Sequence, residues 1–129
     1  MAKTTQITVT AESKPGVLAR IAGVLGAAGV NIVAVCAAES AGRGKIRMVV
    51  SDATRAKQAL AAAKIRCGEE PAVLIALEDR PGALARVAER LATAKINIKC
   101  AYATSGGGGG AVQVVVAVAN ADKAERALA

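Results

Sequence analysis

The 129-residue sequence has no His, no Trp, no Phe and a single aromatic residue, Tyr102. Without His, imidazole general-base catalysis and His-ligated metal sites are excluded. Without aromatic platforms, nucleic-acid binding by base stacking is disfavoured. The three cysteines, Cys36, Cys67 and Cys100, are odd in number and form no Cys-x-x-Cys pair. A disulfide framework or thiolate zinc site is therefore not expected, and the plain reading is buried, reduced thiols in a cytoplasmic protein. The longest stretch free of charged and strongly polar residues, Ile21 to Val30, is too short and glycine-rich to span a bilayer. The first residues, Met1 to Gln6, hold no apolar signal core.

Small apolar residues are abundant instead. Apolar types make up 53% of the chain, including 32 alanines and 15 valines, which is enough for a core built from small pieces. Lys and Arg outnumber Asp and Glu by 17 to 10, a net charge of +7 that favours anionic partners. These cations are scattered from Lys3 to Arg126. The densest group, Arg43, Lys45 and Arg47, alternates as one strand face does; it reads as a solvated face or as an anion site.

The sequence is an internal repeat. Shifted by 66 residues, Glu12-Ser13-Lys14-Pro15-Gly16-Val17-Leu18-Ala19-Arg20 falls on Glu78-Asp79-Arg80-Pro81-Gly82-Ala83-Leu84-Ala85-Arg86. From Glu12 to Ile32, 11 of 21 positions are identical, ending in Asn31-Ile32 over Asn97-Ile98. Past the middle the offset becomes 68, and the two added residues fall in Gly106 to Gly110, which predicts a loop tip. That glycine run lacks the Lys-Ser/Thr ending of a phosphate loop. The copies divide the chain into residues 1–69 and 70–129.

Each copy predicts the same order. A strand (Ile7, Val9, Ala11; Val73 to Leu77) meets Pro-Gly, which opens a helix with Leu18, Ile21 and Leu25, or Leu84, Val87 and Leu91, at helical spacing. Gly29 suits a left-handed helix end, where the second copy has Lys95. Strands follow over Val30 to Ala38 and Lys45 to Val50, and over Ile96 to Ala103 and Ala111 to Val118. Asp52 and Asn120 are placed to cap a second helix. Ile65 to Cys67 is a candidate fourth strand, with no counterpart in the second copy. The fold class is α+β: two tandem ferredoxin-like units with antiparallel sheets, helices on one face, expected to join side by side, the last strand of the second missing. The runs Ile32 to Cys36 and Val114 to Val118 are apolar on both alternations, which predicts cover on both faces, most simply from a second copy in a homodimer.

Lys14-Pro15-Gly16-x-Leu18 with Asn31-Ile32, repeated as Arg80-Pro81-Gly82-x-Leu84 with Asn97-Ile98, resembles the ACT domain family over nearly the whole chain. The resemblance implies a non-catalytic, allosteric regulatory module that binds a small effector, typically an amino acid, where two units meet, and modulates an enzyme of amino-acid metabolism. It also implies that the turn of one unit faces the asparagine of the other. A free helix start at Gly16, Val17 and Leu18, or at Gly82, Ala83 and Leu84, suits a carboxylate. Asn31 or Asn97, with Asp79 where the other copy has Ser13, suits an ammonium. The candidate ligand residues are thus Ser13, Gly16, Val17, Leu18, Asn31, Ile32, Asp79, Gly82, Ala83, Leu84, Asn97 and Ile98. Against them stand plainer readings: Pro-Gly as helix punctuation, the asparagines as local backbone partners, Leu18 and Leu84 as core. Tyr102 suits a pocket cap or a dimer contact equally. No catalytic residue, metal site or cofactor is expected, nor a nucleic-acid or membrane partner. The rival role is a regulatory or assembly subunit that docks on its enzyme without a ligand.

Overall fold

A computed structural model describes residues 2–105 and 111–129, so the expected loop tip at Gly106 to Gly110 lies outside the described residues. In chain order the elements are β1 (Ala2–Glu12), α1 (Val17–Ala27), β2 (Ile32–Ser40), β3 (Arg43–Val50), α2 (Ala53–Ala62), β4 (Gly68–Glu78), α3 (Ala83–Thr93), β5 (Cys100–Ser105), β6 (Ala111–Ala117) and α4 (Ala121–Leu128). The chain divides into two compact units. One is Gln6–Glu69; the other joins residues 2–5 to Glu70–Ala129.

In the unit of Gln6–Glu69 the strand order is β2-β3-β1. The pairing is antiparallel, Ile7 opposite Met48 and Val9 opposite Ile46 on β1 and β3. Alternation turns these four side chains to one face, where they meet Ile21 and Leu25 of α1 and Ala56 and Leu60 of α2 in a buried cluster. The two helices therefore share one face of the sheet, as the repeat predicts. Burying a leucine or isoleucine side chain contributes about 1.5–3 kcal/mol, so these residues dominate the unit's stability. Ala41 and Gly42, both at positive φ, make the tight β2–β3 turn.

The other unit repeats the plan with strand order β4-β6-β5. Val73, Ile75, Val114, Val116 and Val118 bury one face against Leu91 of α3 and Ala124 of α4. Residues 2–5 belong here, and the Lys3 ammonium donates to Asp122 Oδ1 at 2.6 Å on α4. This contact raises the Lys3 pKa and lowers that of Asp122, first by the hydrogen bond and then by the opposite charge.

The second helices start as the sequence predicts: Asp52 accepts from the Arg55 N–H and Asn120 from the Lys123 N–H. Gly29 and Lys95 both sit at positive φ, 74° and 60°, at matched helix ends. Elsewhere the structure corrects the reading. Ile65 to Cys67 is not a strand; the strand starts at Gly68 and continues through Pro71 to Glu78, earlier than Val73. The second-copy strand expected from Ile96 starts only at Cys100, since Ile96 is still bonded to the end of α3 through Leu91 O. Cys36, Cys67 and Cys100 form no disulfide, and all three are half-buried rather than buried. Both alternations of β6 are buried, Val115 and Ala117 as fully as Val116 and Val118, within the single chain. The cover expected there from a second copy is not required.

Candidate functional site

The Pro-Gly turn is set by backbone geometry. Gly16 occupies the N-cap of α1 at φ 90°, ψ −8°. A side chain there would cost about 1–2 kcal/mol, which explains glycine. No side chain caps the helix, so its first N–H groups keep their hydrogen-bonding capacity. Two backbone bonds hold the turn: the Ser13 N–H donates to Gly42 O at 3.0 Å, and the Arg20 N–H to Gly16 O at 2.9 Å.

Beside this turn lies a cavity of about 490 Å³, wholly within the unit of Gln6–Glu69. Its floor is the end of β1, Val9 to Glu12, with Ile21 of α1 and Ile65. Its rim carries Lys14, Arg20, Lys64 and Arg66 against a single carboxylate, Glu12. The Arg20 guanidinium donates to Ala63 O at 2.7 Å, which ties the helix start to the end of α2. Among the described residues Lys14, Lys64 and Arg66 make no ion pair. Lys64 also sits at φ 61°, a left-handed position that glycine occupies more comfortably. A hollow this size, apolar beneath and cationic at the rim, suits a small anionic or zwitterionic molecule.

The second copy builds a related hollow of about 310 Å³. Leu77, Glu78, Arg80, Ala83 and Arg86 stand there where Ala11, Glu12, Lys14, Val17 and Arg20 stand in the first. Its chemistry differs. Arg80 is paired with Glu78 at 3.0 Å, and the Ala83 N–H donates to Arg80 O at 3.3 Å. The free Ala83 N–H expected from the sequence is therefore engaged. Arg90, one helical turn beyond Arg86, donates to Ala129 O at 2.9 Å, as Arg20 does to Ala63. No segment like Lys64 to Arg66 lines this hollow.

Of the predicted residues, Gly16 and Val17 line the large cavity, and Ala83 lines the smaller one. Ser13, Val17 and Leu18 line a further hollow of about 190 Å³ on the other side of the turn, with Ala37, Ala38 and Glu39. Leu18 and Leu84 are not core: they are 45% and 55% exposed, since each stands in the first turn of its helix, at the end of the stripe that buries Leu25 or Leu91 seven residues later. Ile32 and Ile98 pack half-buried on their unit's core. Asn31 is exposed, its N–H donating to Ser51 Oγ and its carbonyl accepting from the Ser51 N–H, both at 2.9 Å. Asp79, Gly82 and Asn97 are exposed and line neither Pro-Gly cavity. Within one unit the turn and the asparagine lie at opposite ends of α1, about 16 Å apart at 1.5 Å per residue. A unit thus does not bring its own turn and asparagine together.

Three cations lie outside the predicted set: Lys14 belongs to the repeated motif, whereas Lys64 and Arg66 stand at positions the repeat does not mark. The available signal was Lys64-x-Arg66 directly after the alanine-rich helix, a basic pair with no partner in the other copy. Among the described residues no helix is long and apolar enough to cross a membrane, and no His, Cys, Asp and Glu group is placed to hold a metal.

The sequence matches the family pattern described as an ACT domain pair over residues 2–129. A solved Bacteroides thetaiotaomicron protein is similar at 30% identity and TM-score 0.88, over 98% of this chain and 86% of that one. The ligand-free regulatory subunit of aspartate kinase from Thermus thermophilus is similar at 20% identity and TM-score 0.73, over 99% and 93%. The Thermus flavus counterpart gives 18% and 0.67, over 98% and 90%. These two likenesses are of fold. Among curated proteins none matches.

Proposed function

The chain belongs to the ACT domain family, as a pair of such domains, and from that premise we propose that it is a regulatory module whose effector is an amino acid bound beside Pro15-Gly16. The observation that carries this reading is the 490 Å³ cavity, which joins an uncapped helix start to Lys14, Lys64 and Arg66. The effector's carboxylate meets the first N–H groups of α1 and the rim cations; its ammonium meets Glu12. A helix end contributes about 0.3–1 kcal/mol to an exposed anion, so the side chains must supply most of the affinity. Dissociation constants between micromolar and millimolar, about −8 to −4 kcal/mol, suit sensing of a metabolite pool.

Occupancy ties α1 to the segment after α2, both of which border the cavity. A partner enzyme of amino-acid metabolism reads that change; coupling of about 1–3 kcal/mol suffices. An aspartate-kinase-type catalytic subunit is the first partner to test, because the Thermus proteins of this fold are regulatory subunits of that enzyme. A cytoplasmic location accords with such a role. The exposed Leu18, Leu84 and Val35 favour a second reading, a subunit that docks on its enzyme or on another copy through these side chains.

The test is calorimetric titration of the chain with the twenty amino acids at millimolar concentration. Binding of at least one, weakened severalfold or more in Lys14→Ala, is expected. No heat and no thermal shift with any of them overturns the reading.

A further inference from the structure

We infer that the cavity beside Pro15 selects small ligands with two anionic groups over those with one, an acidic amino acid being the representative case. This rests on the ligand-binding reading above and adds the ligand's charge to it. The basis is an imbalance of charge. Lys14, Arg20, Lys64 and Arg66 surround the hollow, and Glu12 alone opposes them.

A neutral zwitterion cannot correct that imbalance. Its carboxylate engages one or two cations, its ammonium takes Glu12, and the remaining cations repel the ammonium. A second carboxylate or a phosphate instead meets Lys14, Lys64 and Arg66, which make no ion pair among the described residues. In the second copy the residue at the place of Lys14 is Arg80, and it is paired with Glu78, so the hollow there keeps only Arg86 and Arg90 beyond that pair and has nothing in the place of Lys64 and Arg66. Nor are the free cations of the first hollow merely the chain's general basicity. Lys64 and Arg66 stand two residues apart in the segment after α2, and both line this one hollow. The cavity, about 490 Å³, has room for a side chain that carries the second group.

The experiment is a titration of the full chain with aspartate, glutamate, asparagine, glutamine, alanine, succinate and inorganic phosphate, in low and in 0.5 M salt. The acidic amino acids are expected to bind at least tenfold tighter than their amides. The difference should shrink in high salt, where screening shortens the reach of charge to a few ångströms. It should fall to twofold or less in a Lys64→Gly/Arg66→Gln variant, in which glycine keeps the left-handed backbone. Lys14→Gln serves as an independent variant. Lys95→Gly, which removes a lysine of the same backbone conformation away from this cavity, should leave the preference intact.

Amides that bind as tightly as the acids overturn the two-anion inference and leave the amino-acid reading standing. A preference that survives the double variant overturns it too. Succinate and phosphate bound with no amino acid bound would uphold the two-anion site and overturn the amino-acid reading. No binding by any probe overturns both.

Discussion

The two Pro-Gly turns begin alike and finish differently. Gly16 and Gly82 share their φ within a few degrees, 90° and 86°, and each opens an eleven-residue helix. Around the first, the chain after α2 supplies Lys64, Ile65 and Arg66, and a large hollow keeps its cations unpaired. Around the second, Arg80 turns to Glu78, Ala83 bonds back to Arg80, and the hollow is smaller. The duplicated motif thus fixes the backbone of the turn, while residues outside the motif decide whether it can hold a ligand. The cores diverge in the same direction. Ile7, Ile21, Leu25, Ile46, Met48 and Leu60 fill the first, whereas the second is mostly valine around Ile75 and Leu91.

The sharpest test of that divergence is the matched pair Leu60 and Leu128. Leu60 is fully buried and Leu128 only partly. Leu60→Ala should cost about 2–5 kcal/mol and Leu128→Ala markedly less, measured by denaturant unfolding. Equal losses would break the distinction between the cores. Next come the turns. Gly16→Ala and Gly82→Ala should each destabilise by about 1–2 kcal/mol, since both sit at positive φ. Ligand affinity, read by calorimetry, should suffer only in Gly16→Ala. A smaller effect tests the helix ends, where Lys95 stands at the place of Gly29. Lys95→Gly should stabilise by up to about 1 kcal/mol, seen as a higher Tm.

The smallest effect concerns Lys3 and Asp122. The lowered Asp122 pKa gives stability that is present above the usual carboxylate value and is lost as pH falls through the depressed one. The raised Lys3 pKa gives stability present below the usual ammonium value and lost as pH rises through the raised one. Both groups are exposed, so hydrogen exchange in residues 2–5, corrected for its intrinsic pH dependence, should quicken only slightly as pH falls below the ordinary carboxylate range. Asp122→Asn should abolish that change.

Much of this was legible in the sequence because the repeat reports each element twice. Period-3.6 leucines, Asp52 and Asn120 as caps, and the Pro-Gly openings are local signals, and local physics kept them. What was illegible depends on packing. Leu18 carries the same helical spacing as Leu25, yet one is 45% exposed and the other fully buried; spacing gives a stripe and not its limits. Strand β4 runs through Pro71, a residue that reads as a break because it has no N–H to give, although its carbonyl accepts from the Val118 N–H. Lys64 and Arg66 carry no signal of a cavity in the sequence, because charges away from a motif ordinarily mean solvation.

Residues 2–5 belong with Glu70–Ala129, and Lys3 finds Asp122 near the far end of the sequence. On a ribosome this segment emerges before any residue of its own unit. It must wait, unpaired, while Gln6–Glu69 is translated and free to fold behind it, and only the arrival of the last helix gives Lys3 its carboxylate. Translation therefore delivers this piece ahead of the rest of its unit, and severing the polypeptide between Glu69 and Glu70 would strip it from the unit it completes.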